Sequence, residues 1–433
     1  MGVYRFSTAP GSEAPRLGRV GGAARGADSS TPVAEASLPP LGAAAAAGAP
    51  LARGPQDAAA PGRALLDGLL LAHWEDAAAK GLFRYDVTAC PTKVLPGSLG
   101  FIAQLNEGRA TKKRPTEFRL DQVCQPFDPA KFHFNKAALH EAFFAFEPAP
   151  PAAAASAFAP AGRLGPSPNL VLINVSPIDY GHVLLCPRVL DNLPQLLDRE
   201  SVLLALRFAR EGGNPFLRVG YNSLGAYATI NHLHFQSYYL NTQMPIERAG
   251  SAPLPGVPSL LPGGVAVSRL FGYPVNAFAL AAPRGGGAAA LEALADAVTA
   301  AALALQAANV PHNMLISECG AKVFLTPQCY AEKQAKGVVP DHLLATGVNP
   351  AVWEITGHMV LFRQGDYDSF SQQLAWDLLA EVSLEEGRFL EVAAMCFGGG
   401  AGGGGARRAS ECGAEAEGGA RAGGEAAAAA VQA

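Results

Sequence analysis

The sequence predicts an α+β fold in which a strand-and-helix unit occurs twice, as antiparallel sheets with packed helices between unstructured tails. Three observations predict it. Two blocks, 63–250 and 265–397, each alternate apolar runs of strand length with helical runs. A Pro/Ala-rich insertion at about 148–165 and a Pro/Gly-rich stretch at 252–264 punctuate the chain. The ends, 1–62 and 398–433, are Ala/Gly-rich and offer too little apolar surface to offset the entropy of ordering their backbone.

In chain order, Leu66, Leu69, Leu70 and Trp74 recur at helical spacing until Gly81 stops the run. Residues 169–175 and 182–186 are apolar runs separated by a turn containing Pro177, which predicts a hairpin. Residues 198–210 read as a helix stopped by Gly212-Gly213, after which Leu217, Val219 and Tyr221 alternate into a strand. Residues 228–240 read as another strand. The second block repeats the theme: a helix through Leu291, Leu294, Val298 and Leu305, then strands at 313–317, 322–326 and 356–363. A last helix is predicted over 372–395.

The 433 residues suffice for two or three domains. Lys and Arg number 33 against 37 Asp and Glu, a formal charge of -4, so the chain has no global basic field for nucleic acid or an anionic membrane surface. The Ala/Leu run at 288–308 is interrupted by Glu292 and Asp296, which argues for a soluble protein rather than a membrane span. Seven cysteines, with no C-x-x-C pair, fit a reducing compartment better than a disulfide framework or a zinc ribbon. The N-terminus lacks the pattern of a secretory signal; its arginines, serines and alanines fit a transit peptide, against which Glu13, Asp28, Glu35 and Asp57 count.

Chemistry concentrates in Thr229-Ile-Asn-His-Leu-His-Phe-Gln236. On a strand, His232, His234 and Gln236 share one face while Leu233 and Phe235 take the other. Two readings compete. H-x-H presents two nitrogens to a metal ion, but 235–243 holds no carboxylate, and a glutamine is a poor ligand for zinc or iron. Alternatively, a neutral imidazole attacks phosphorus and divides one displacement into two. Upstream, Gly220-Tyr-Asn-Ser-Leu-Gly225 offers Asn222, Ser223 and flexible backbone N–H groups to a phosphate. The segment Pro177-Ile-Asp-Tyr-Gly-His182 reads first as hairpin chemistry. Arg109 and Lys112-Lys113-Arg114 are cations within reach of a phosphate or a solvated loop.

Asn174-Val-Ser-Pro-Ile-Asp-Tyr-Gly-His-Val-Leu-Leu-Cys-Pro187, Gly220-Tyr-Asn-Ser and His232-Leu-His-Phe-Gln236 resemble the histidine-triad superfamily in its galactose-1-phosphate uridylyltransferase-like branch, which carries H-x-H-x-Q. Further blocks, including Gly81-Leu-Phe-Arg-Tyr-Asp-Val, Gly100-Phe-Ile-Ala-Gln-Leu-Asn-Glu-Gly-Arg109, Leu325-Thr-Pro-Gln-Cys-Tyr-Ala-Glu-Lys-Gln334 and Val348-Asn-Pro-Ala-Val-Trp-Glu354, are similar to the GDP-L-galactose phosphorylases of green plants and algae. That resemblance spans about 64–397. It implies transfer of GMP from GDP-L-galactose to inorganic phosphate, a step of ascorbate synthesis, with GDP-D-glucose as the alternative substrate and a non-catalytic guanine-nucleotide-binding regulator as the alternative class. It further implies that His234 is the nucleophile, that His232 and Gln236 steady phosphate oxygens, that Asn222 and Ser223 contact the phosphates, and that Asn174 and Asp179 lie nearer the nucleoside. No cofactor or metal is expected for the chemical step. The resemblance and the cysteine usage both point to the cytoplasm, and a nuclear pool is compatible with them.

Overall fold

The computed structural model describes residues 2–6, 64–112, 117–148 and 166–398. Before the first expected hairpin lie β1 (Gly2–Phe6), α1 (Leu65–Ala79), β2 (Thr92–Val94), β3 (Ile102–Leu105), α2 (Glu107–Lys112) and β4 (Ala142–Pro148). The first repeat is β5 (Asn169–Ile173), β6 (Val183–Cys186), α3 (Arg199–Gly212), β7 (Leu217–Asn222) and β8 (Phe235–Tyr239). A bridge of α4 (Pro245–Arg248), β9 (Gly250–Ala252) and β10 (Leu260–Leu261) follows. The second repeat is β11 (Val265–Phe271), β12 (Phe278–Ala281), α5 (Gly287–Ala307), β13 (His312–Ser317) and β14 (Lys322–Pro327). The chain ends with α6 (Tyr330–Ala335), α7 (Asp341–Leu344), α8 (Val352–Ile355), β15 (His358–Leu361), α9 (Gln364–Ser369), α10 (Gln372–Val382) and α11 (Glu386–Phe397).

The duplication is explicit in the strand order. The first repeat runs β5-β6-β8-β7, the second β11-β12-β14-β13, and β7 pairs antiparallel with β13, so both repeats share one continuous sheet. β2, β3 and β15 make a separate three-stranded sheet. Strand alternation then sorts the core into two layers. Met314, Ile316, Val323 and Leu325 pack with α1, α3, α5 and α11 on one face. Leu315, Phe324, Tyr238 and Trp353 pack with Phe101, Ile102, Met359 and α10 on the other.

Local signals explain the helix ends. Asp198 caps α3 by accepting from Ser201 N at 2.8 Å while the Ser201 hydroxyl accepts from Asp198 N, a device contributing about 1 kcal/mol. Gly213 closes α3 at φ 59°, where a Cβ is disfavoured. α5 is long and apolar enough by composition to cross a membrane, but half of its most apolar stretch is buried here, and Arg199 and Arg207 of α3 pair with its Asp296 and Glu292.

Three expectations are corrected. The strand expected over 228–240 begins only at Phe235. The helix expected over 372–395 is two helices, because Ser383 is drawn into an extended bridge with Gln328 and its hydroxyl accepts from Asn276 N at 3.0 Å. Within the N-terminal stretch expected to be unstructured, Gly2–Phe6 runs parallel to β4, as its Val-Tyr-Arg-Phe composition favours. Residues 7–63 and 399–433, and the insertion from 149 to 165, lie outside the described residues.

Candidate active site

Residues 223–234 leave β7 and return as β8, carrying both histidines. The backbone turns at 224–227 and then runs to β8 outside the strand ladder, tied by Leu233 N to the Leu193 carbonyl at 2.8 Å and by one side chain. Gln195 Oε1 accepts from His234 N at 2.9 Å, and its Nε2 donates to the carbonyls of His234 (3.1 Å) and Asn222 (2.9 Å). Gln195 is itself held: its N–H donates to Asn231 Oδ1 and its carbonyl accepts from the Tyr221 hydroxyl. Leu233 and Phe235, both fully buried, anchor the opposite side in the core. The predicted segregation of faces therefore holds, though the strand does not.

The two imidazoles have opposite tautomers. His234 Nδ1 lies 2.8 Å from the His232 carbonyl, which only accepts, so Nδ1 carries the proton and Nε2 a lone pair. Among the described residues His234 Nε2 has no hydrogen-bond partner. His232 Nδ1 accepts from Phe134 N at 3.0 Å, so its proton sits on Nε2, which is buried and unpartnered. Burial lowers both pKa values to about 4. For His232 the neighbouring His234 and His133 push the same way, and the Val189 carbonyl opposes weakly from beyond hydrogen-bond reach. Phe134, 5.0 Å from His234 and 5.5 Å from His232 by ring centroids, and Phe127, 5.5 Å from His232, wall this end with apolar surface. The pair thus offers a neutral nucleophile beside a neutral donor.

Gln236, the first polar residue inside β8, pairs with Leu184 and Gly220. Its Oε1 accepts from Trp353 Nε1 at 3.1 Å, and its side chain lies beside His182. His182 is fully buried. Its Nδ1 accepts from Ile178 N at 2.9 Å, and its Nε2 lies 3.1 Å from the Asn174 side-chain amide. Burial, reinforced by the charge of Arg109, holds His182 well below the ordinary histidine value. Arg109 is 8 % exposed and donates to the Ser176 carbonyl. Asp179 Oδ1 accepts from Tyr180 N at 2.7 Å, and burial raises its carboxyl to about 7.

The structure therefore gathers Asn174, Asp179, His182 and Arg109 around the β5–β6 turn, His232 and His234 at the other end, and Gln236 between. Asn222 and Ser223 are placed differently from the open phosphate loop expected of Gly220-Tyr-Asn-Ser. Asn222 Oδ1 accepts from Asn313 Nδ2 and from Val352 N at 2.9 Å; the Ser223 hydroxyl accepts from His312 N at 2.9 Å. Both are buried at the junction of the repeats. Gly220 lies within β7, where an added Cβ would meet Val352 at 2.8 Å and the Trp353 ring at 3.1 Å, so its role is to admit α8. Lys113 and Arg114 lie outside the described residues.

Sequence reasoning missed Gln195, which stands in an Asn-Leu-Pro-Gln loop with no local signal. It quoted Trp353 without a role; the only clue was its place in a resembling block. For the metal reading, no group of three or more His, Cys, Asp or Glu side chains suited to an ion occurs among the described residues. The six described cysteines are all free thiols.

A neutral, tautomer-fixed histidine beside a donor histidine and a glutamine, on a duplicated α+β sheet, suits a nucleotidyltransferase-type enzyme, the class to which this chain's GDP-sugar phosphorylase relatives belong. The chain belongs to the GDPGP1-like family, matching its N-terminal domain over residues 65–238 and its C-terminal domain over 245–400. It is 53 % identical to GDP-L-galactose phosphorylase 1 of Arabidopsis thaliana, covering 79 % of this chain and 75 % of that protein. GDP-L-galactose phosphorylase 2 of the same plant is 54 % identical, covering 77 % and 76 %. Human GDP-D-glucose phosphorylase 1 is 33 % identical, covering 76 % and 82 %. Among solved structures, yeast Ap4A phosphorylase Apa2 in complex with Ap4A is similar at a TM-score of 0.48 and 13 % identity, covering 74 % of this chain and 97 % of that one.

Proposed function

We propose that this enzyme is a GDP-L-galactose phosphorylase that works through a guanylyl-histidine. His234 Nε2 attacks the α-phosphorus of GDP-L-galactose; the bond from that phosphorus to the bridging oxygen breaks, and L-galactose 1-phosphate leaves. An oxygen of inorganic phosphate then attacks the same phosphorus, breaks the P–N bond and yields GDP, returning His234 to its starting state. The observation that carries the mechanism is the His234 Nδ1–His232 carbonyl bond, which leaves the Nε2 lone pair free at neutral pH. His232 Nε2–H and the Gln236 amide serve as donors to phosphate oxygens on the same side of the chain. Arg109, Asn174 and Asp179 stand on the turn beside them, where the leaving group or nucleoside would lie. Asn222 and Ser223 act on the phosphates through the backbone they hold.

Identity of 53–54 % to the plant enzymes against 33 % to the human one favours L-galactose over D-glucose. The reading places the reaction in ascorbate synthesis, in the cytoplasm. The test is the intact-protein mass after mixing with GDP-L-galactose in the absence of phosphate. A gain of one GMP, acid-labile and removed by added phosphate, is the expected outcome; no gain, with bound nucleotide, would make the chain a guanine-nucleotide binder. Comparing kcat/KM for the two GDP-sugars then fixes the sugar.

A further inference from the structure

We propose that Trp353, contributed by the C-terminal domain, is a positioning residue that locks the Gln236 amide with its NH2 group toward the transferred phosphoryl group. The inference rests on the function proposed above and names a residue for that site.

A glutamine amide can turn over by 180°, and only one orientation donates to phosphate. The indole N–H is a donor and never an acceptor, so the Gln236 atom 3.1 Å from Trp353 Nε1 is the oxygen. With the indole donor on one side, the NH2 group turns to the other. The opposite orientation would set an amide oxygen against phosphate oxygens.

Trp353 is built into place. It is 1 % exposed, its ring lies 4.0 Å from that of Tyr238, and the Tyr238 hydroxyl is in turn 2.8 Å from His358 Nδ1. One residue before it, Val352 N donates to Asn222 Oδ1, so the β7 end that Gln195 also grips sets the height of α8 over the sheet. Gly220, the ladder partner of Gln236, supplies the space the indole occupies. The chain Asn222–Val352–Trp353–Gln236 thus lets the second domain complete a site whose histidines all belong to the first.

The test is a double-mutant cycle on the rate of GMP-enzyme formation, with Trp353→Phe and Gln236→Ala. Trp353→Phe keeps the ring on Tyr238 and removes the N–H; adduct formation should slow about 10-fold with KM within about two-fold, since a transition-state contact is lost rather than a binding one. In the Gln236→Ala background the same change should cost less than about two-fold. Additive losses, or no loss in the single variant, would overturn the assignment. Should Trp353→Phe misfold, benzothienylalanine at 353, isosteric but without the N–H, gives the same reading. Absence of any adduct in the wild-type enzyme would instead overturn the proposed function, so the two failures are separate.

Discussion

Twelve residues, 223–234, connect the last two strands of the first repeat; four, 318–321, connect the last two strands of the second. The register carries the comparison residue by residue. Gln236 pairs with Gly220 and Leu184; the corresponding position, Phe324, pairs with Leu315 and Ala279, and Gly220 and Leu315 face each other across the centre. Two residues along each strand, His182 corresponds to Ala277 and Asn174 to Leu270. The same backbone bond marks both pairs, Asn174 N to the His182 carbonyl and Leu270 N to the Ala277 carbonyl. Leu270, Ala277 and Phe324 lie together in one apolar cluster, while Asn174, His182 and Gln236 form the polar floor of the site. Identical ladders tolerate either content. The apolar version is the cheaper one to bury, and the polar version has its own partners: Ile178 N on His182, Ser176 N on Asn174 and the Trp353 indole on Gln236.

The largest contrast between the repeats is expected at their connecting segments. His234→Ala should reduce turnover to background and abolish the GMP adduct, whereas Lys322→Ala, at the matching position, should leave kcat within about two-fold. Wild-type rates in His234→Ala, read by phosphate-dependent GDP release, would break the asymmetry. Next, Gln236→Leu makes the first repeat resemble the second. It should lower kcat by about 10²–10³-fold through lost transition-state stabilisation while the protein stays folded, as a thermal melt beside the kinetics would show.

Asn222→Ala attacks the junction rather than the site. Val352 N and Asn313 Nδ2 lose a buried acceptor, at about 1–3 kcal/mol each, so Tm should fall clearly and turnover should fall with the displacement of α8. An unchanged Tm would show that the junction does not need this clamp.

The contrast is smallest in a pH dependence to which both repeats contribute. His232, His234, His312 and His358 are held neutral with pKa values of about 4, and His182 lies well below its ordinary value, all chiefly by burial. Below about pH 6.5 the unfolded chain takes up protons that the folded one refuses. Stability from these groups is therefore complete above about 6.5 and lost as pH falls toward about 4. Urea midpoints measured from pH 7.5 to 4.5 should decline over that window; a flat series would mean that the imidazoles are protonated in the fold.

What was legible in the sequence follows from local physics. The β5–β6 hairpin, the capped α3, the apolar α5 and the duplication are written as periodicity, a capping Asp, stop glycines and recurring texture, because each depends on neighbours close in the chain. The order His232, His234, Gln236 on one face was legible for the same reason: alternation survives in any extended backbone, with or without a ladder. Tertiary structure decided the rest. Whether 228–234 is a strand depended on Gln195, some forty residues earlier, taking the place of a partner strand; whether Gly220 is a phosphate loop or a slot depended on α8, over a hundred residues later. Which nitrogen of His234 holds the proton, and which way the Gln236 amide faces, were set by single hydrogen bonds whose donors and acceptors only folding brings within 3.1 Å.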